Sequence, residues 1–168
     1  MIEFLAILLN GPHVQRDLSL VPSSVQLIGA SKNSVVFGKR GVQEGRELVS
    51  VNIIVVTKGP MEELSDEFPR VLRSAYIQSS LIEVNCEAKS GTIKDFVYID
   101  ERGSSWRPLI PARDLREASR FVEYVVLAYA CDLSDVGRGE FVIGGSLKTL
   151  TEIAEDQFED LTSYSPSK

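Results

Sequence analysis

Leu81-Ile-Glu-Val-Asn-Cys-Glu-Ala88 alternates strictly, with Ile82, Val84, Cys86 and Ala88 against Glu83, Asn85 and Glu87. After Lys89-Ser-Gly91, a second run follows, Thr92-Ile-Lys-Asp-Phe-Val-Tyr-Ile99. A period of two puts successive side chains on opposite faces of a sheet. Two such runs joined by a short Gly-bearing turn predict a β-hairpin, and so an antiparallel pair. This hairpin sets the fold class, and the flanking sequence repeats its pattern.

Upstream, Glu47-Leu-Val-Ser-Val-Asn-Ile-Ile-Val-Val-Thr57 starts with alternation and ends as a continuous apolar run. A strand that begins half-exposed and finishes buried on both faces reads this way, so it is expected to be central. Ser24–Gly29 and Ser34–Phe37, separated by Ala30-Ser-Lys-Asn33, predict another hairpin. Phe4–Leu9 is a short apolar run. It is too short for a membrane span, lacks a basic leader, and is expected to be a strand. Downstream, Trp106–Ile110 with Pro108 and Pro111 fits a short edge strand, since Pro is tolerated at edges.

Helices are expected at two places. Lys58–Ala75 has Pro60 at a first-turn position and acids before bases (Glu62, Glu63, Asp66, Glu67, then Arg70, Arg73). Leu64, Phe68, Leu72 and Ala75 recur at helical spacing, and Pro69 should kink or split the element. Ser146–Leu161 carries Leu147, Leu150, Ile153, Ala154, Phe158 and Leu161 on one face. Residues 112–131 fit either element. A helical turn over 112–119 and a strand over 120–131 are expected, because Phe121–Ala130 is rich in β-branched and aromatic residues. The predicted fold is α+β: a mainly antiparallel sheet of about six to eight strands, with a mid-chain helix and a C-terminal helix packed on it. A single domain over residues 1–161 and a flexible tail over 162–168 follow.

Composition bounds the function. The 168 residues are 43% hydrophobic and carry a net charge of −6. That apolar content excludes general disorder, and the length makes a staple unnecessary for folding. The negative charge argues against nucleic acid and anionic membrane partners. Cys86 and Cys131 lie in apolar contexts and read as free, buried thiols in a reducing, cytoplasmic setting.

Motifs for chemistry are missing from the sequence. The one histidine, His13, sits in a Gly-Pro loop with no nucleophile beside it. No phosphate-binding glycine loop or nucleophile elbow occurs. Gly137-Arg-Gly139 reads as a turn, and Asp132 and Asp135 lack the register of a calcium loop. No metal site or cofactor is expected.

Charge is unevenly spread. Arg102, Arg107, Arg113, Arg116 and Arg120, with Trp106 beside Arg107, form a basic segment suited to carboxylates, phosphates or a partner protein. Nearby Asp100, Glu101, Asp114 and Glu117 make a mixed-charge surface the plain alternative. Glu152, Glu155, Asp156 and Glu159, with Asp160, make the last helix an acidic face for a basic partner, or simply a solvated one. The expected function is a non-catalytic protein-interaction module of adaptor, inhibitor, immunity or chaperone type, whose partner is another protein. The alternative is a hydrolase, transferase or binding protein that takes a small anionic ligand at the 102–120 segment.

Overall fold

A computed structural model of the chain describes residues 21–44, 48–66, 71–131 and 138–163. The expectations for Phe4–Leu9, His13, Asp132, Asp135 and the tail beyond Ser163 lie outside these residues. Seven strands form one antiparallel sheet: β1 (Ser24–Ala30), β2 (Ser34–Glu44), β3 (Leu48–Leu64), β4 (Leu72–Asn85), β5 (Ser90–Ile99), β6 (Ser105–Trp106) and β7 (Arg138–Val142). Their order is β6-β5-β4-β3-β2-β1-β7. The first six meander between neighbours, and β7 returns to pair with β1. Helix α1 (Arg120–Ala130) packs with one face of the sheet and α2 (Leu147–Ser163) with the other.

Alternation read the core strands correctly. β4 and β5 pair through the turn 86–89, as in Ile82 opposite Ile93 and Val84 opposite Gly91. β1 and β2 pair as expected, and Ser31 Oγ accepts from the Asn33 and Ser34 amides to hold their turn. β3 is central; Leu48 is exposed at its start and Ile53, Ile54, Val55 and Val56 are all buried. One face of the sheet holds Val36, Ile53, Val55, Ile82 and Val84, and the other Val35, Phe37, Ile54, Val56 and Ile77.

Where a helix is expected over 58–75, the described residues 58–66 and 71–75 instead belong to the outer half of the β3–β4 pair, and Glu67, Phe68, Pro69 and Arg70 lie outside the described residues. Leu64 and Leu72, both on the expected helical stripe, are cross-strand partners. Both are well exposed, and of the described residues of that stripe only Ala75 is buried. The acid-to-base order has another reason: Glu63 stands opposite Arg73 across the strands, where opposite charges attract. Pro60 falls within the register shift between Val56 and Met61, where β3 forgoes regular pairing.

The strand expected over 120–131 is α1. Ser119 Oγ accepts from the Val122 amide and caps it. Val122, Val125, Val126 and Tyr129 bury one helical face, and that burial overrides β propensity. Two glycines bring the sheet close enough. A Cβ on Gly29 would lie 2.8 Å from Val125 Cγ2, and one on Gly38 would lie 2.7 Å from Tyr129 Cε1. The mid-chain helix of the α+β fold therefore exists, some sixty residues later than its sequence position suggested. In place of the turn at Gly137–Gly139, Arg138 and Gly139 open β7. The helical turn expected at 112–119 is a shorter 3-10 turn, Leu115–Glu117, closed by a capping box between Asp114 and Glu117.

The expected free thiols are also corrected. Cys86, in the turn after β4, and Cys131, at the C-cap of α1, form a disulfide with Cα atoms 5.5 Å apart. Both packed beside the α1-side core as the sequence suggested, but against each other. The Arg40 guanidinium lies 5.0 Å over the Tyr129 ring and donates to the Tyr129 carbonyl, so the helix end is held twice.

One corner of the sheet closes on itself. Past β6, the Leu109 amide donates to the Leu64 carbonyl at 2.7 Å and the Asp66 amide to the Arg107 carbonyl at 3.0 Å. The end of β3 thus pairs with the segment after β6, and β3, β4, β5 and β6 form a ring. Tyr98 and Trp106 pack together in this corner, with ring centroids 4.9 Å apart. Arg73 lies 5.4 Å over the Trp106 ring and 3.7 Å from Asp100.

Candidate interaction surface and cleft

The basic segment is divided by the fold. Arg102 sits in the tight turn after β5, where Asp100 Oδ1 accepts from the Arg102 and Ser104 amides. Trp106 is 2% exposed, and its Nε1 has no partner among the described residues. Arg107 is bound by Asp95 at the sheet edge. Arg113, Arg116 and Arg120 are exposed around the 3-10 turn and the start of α1. The acids near them, Asp114 and Glu117, cap backbone amides: Asp114 accepts from Arg116, and Glu117 accepts from Arg113 and Asp114. Only Arg102 of the six lines the cleft described below.

Two groups in the closed corner have perturbed ionisation. The hydrogen bond from Arg107 holds the Asp95 carboxyl below the usual carboxylate range, helped by the Phe96 amide and opposed by partial burial. Burial pushes the Tyr98 phenol up to about 12, and the nearby Glu63 charge adds to this.

The outer tip of the β3–β4 hairpin carries the clearest surface feature. Leu64 (44% exposed), Val71 (49%), Leu72 (61%) and Ile110 (86%) are large apolar residues open to water. Leu64 pairs with Leu72, the Ser65 amide bonds to the Val71 carbonyl, and Leu109 bonds to Leu64. The backbones of the four therefore lie close together at this end of the sheet. Glu62, Glu63 and Asp66 are exposed around them. The sequence pattern hides this patch, because Leu64 and Leu72 fall on the expected helical stripe and Ile110 at the end of the expected edge strand. The adjacent Pro108-Leu-Ile-Pro111 run was the available signal.

A cleft of about 1040 Å³ separates α2 from the sheet. Val56, Ile77, Leu147 and Phe158 give it apolar walls. Lys58, Arg102 and Lys148 line it, as do Glu152, Glu155 and Glu159 of the acidic helix face. Asp156, the fourth residue of that face, is exposed and outside the lining. A Cβ on Gly103 would lie 3.4 Å from Leu147 Cδ1, so the Arg102 turn abuts the first turn of α2. Nothing in the sequence announces the cleft, because its two walls lie far apart along the chain.

Among the described residues, no group of three or more His, Cys, Asp and Glu is arranged to hold a metal ion. No helix among them is long and apolar enough to cross a membrane. No family model, curated protein or solved structure matches this chain.

Proposed function

We propose that this protein is a non-catalytic interaction module that docks a partner protein on the tip of the β3–β4 hairpin. The observation that carries this reading is the exposed group Leu64, Val71, Leu72 and Ile110. Water-exposed apolar groups gathered at one site mark interaction surfaces, because covering them removes apolar area from water. Glu62, Glu63 and Asp66 around the patch, and the net charge of −6, favour a partner that offers apolar side chains flanked by Lys or Arg. The same charge disfavours nucleic acid.

The test is capture by cross-linking from a native extract, with the wild-type chain against Leu72→Glu/Ile110→Glu. Both positions are exposed, so the variant keeps its fold, which circular dichroism verifies. A defined protein captured by the wild type and lost with the variant supports the reading, and added salt should weaken its capture. Equal capture by both chains, or none above background, refutes it.

The anionic-ligand alternative is supported only at Arg102, the one member of the basic segment in the cleft. The cytoplasmic setting expected from sequence has to be weighed against the Cys86–Cys131 bond. Structural disulfides persist in oxidising compartments, and we infer that the protein works in one. Protein taken from its native source under thiol-blocking conditions should carry no free thiol; two alkylated cysteines would restore the cytoplasmic reading.

A further inference from the structure

We infer that the cleft between α2 and the sheet binds a short zwitterionic ligand with an apolar body, of the size and charge of a tripeptide with free termini. The argument begins with α2. Lys148, Glu152, Glu155 and Glu159 recur at helical spacing and line the cleft, so its wall runs from positive to negative along the helix. Arg102 adds positive charge at the Lys148 end, because its turn abuts Leu147. Acids line this end too: Glu101 is exposed, Asp100 faces Arg73 at 3.7 Å and accepts from the Arg102 and Ser104 amides, and Glu152 pairs with Lys148 at 3.7 Å, which leaves Arg102 as the cation at this end without a carboxylate partner among the described residues. Neither Arg102 nor Glu155 makes an ion pair among the described residues.

Lys148 and Glu155 are seven residues apart, about 10 Å along a helix rising 1.5 Å per residue. Three residues of extended chain span about 10 Å. A tripeptide thus places its carboxylate near Arg102 and Lys148 while its ammonium reaches Glu155. Between the two ends, Val56, Ile77, Leu147 and Phe158 offer an apolar surface to its side chains. The volume, about 1040 Å³, is at the upper end of the range for small-molecule sites and too large for a single amino acid to fill. The arginine fork suits a terminal carboxylate, which it can hold with two parallel hydrogen bonds.

The test is calorimetric titration of the whole chain with Leu-Leu-Leu at low salt, beside its N-acetylated and C-amidated forms. The free tripeptide should bind saturably, and removing either end charge should weaken it about two- to fivefold, as for partly exposed charge pairs. In Glu155→Gln the free and acetylated peptides should bind alike. In Arg102→Gln the gap between the free and amidated peptides should shrink, with Lys148 alone left beside the carboxylate. Both positions are exposed, so these variants test charge and leave the core intact. No saturable binding of the free tripeptide overturns the inference, as does a capping effect that is the same in wild type and both variants. Leu72→Glu/Ile110→Glu should bind the peptide like the wild type, which keeps this result separate from the fate of the hairpin-tip surface.

Discussion

Removing the Cys86–Cys131 bond should cost this protein a large part of its stability while leaving its structure in place. The bond closes a sequence separation of 45 residues. In the chain-entropy model, a loop of that size restricts the unfolded ensemble by about 4 kcal/mol at 25 °C. The folded state loses little in Cys86→Ser/Cys131→Ser. The end of α1 is still held by Arg40 on the Tyr129 ring and carbonyl, and Val125, Val126 and Tyr129 remain buried. Trp106 makes the measurement direct, since it is the single tryptophan and is buried in the closed corner. Urea unfolding followed by its fluorescence should shift to lower denaturant in the double variant. At a slope of about 2 kcal/mol/M, the expected shift is about 2 M. Far-UV circular dichroism in the absence of urea should match the wild type. A midpoint shift below about 0.3 M would refute the view that this bond acts through the unfolded chain.

Three further outcomes follow from packing and ionisation. Gly38→Ala should destabilise by about 1–3 kcal/mol in the same urea assay, because its Cβ would meet the Tyr129 ring at 2.7 Å; a neutral effect would mean α1 can move off the sheet freely. Asp95 has a lowered folded pKa, so its contribution is present above its ordinary value of 3.8 and is lost as pH falls through the lower folded value. Asp95→Asn should therefore flatten the fall of melting temperature in acid, by a modest amount because the pair is partly exposed; an unchanged slope counts against the Arg107 bond. Tyr98 has a raised folded pKa, so the stability from its neutral phenol is present below its ordinary value of 10.0 and lost as pH rises towards about 12. Ultraviolet titration of the folded protein should show a late-ionising phenol that Tyr98→Phe removes.

The sheet was legible where one property decides the structure. Over residues 81–85 of β4 and 91–94 of β5, alternation matches burial, and in β3 the change from alternation to a continuous apolar run marks entry into a layer covered on both faces. Reading failed where two patterns coincide. Leu64, Leu72 and Ala75 satisfy a helical period, yet the register of β4 against β3 places Leu72 opposite Leu64 and Ala75 opposite Met61. Phe121–Ala130 has strand-forming residues, yet Gly29 and Gly38, almost a hundred residues earlier, prepare the surface that buries it as a helix. The candidate site was legible as composition and illegible as geometry. Arg102 and Glu155 stood out as charged residues, but only the fold brings them to one cleft, while Arg107, Arg113 and Arg116 are drawn elsewhere by Asp95 and the 3-10 turn. The disulfide was missed for the same reason, since a separation of 45 residues says nothing about proximity.

The strand order also governs how the molecule is made. β1 to β6 pair as sequence neighbours, so a chain emerging from the ribosome forms most of its sheet as it appears. The exception is β7 and α2, which follow α1 in the sequence. β7 must travel back to β1, and only then does α2 bring Leu150, Ala154 and Phe158 to the side of the sheet that holds Ile54, Val56 and Ile77. During translation that side is an apolar sheet awaiting its cover, while the α1 side is already protected. Ribosome stalling or truncation before residue 147 would therefore release a one-sided intermediate prone to sticking to its own copies or to chaperones.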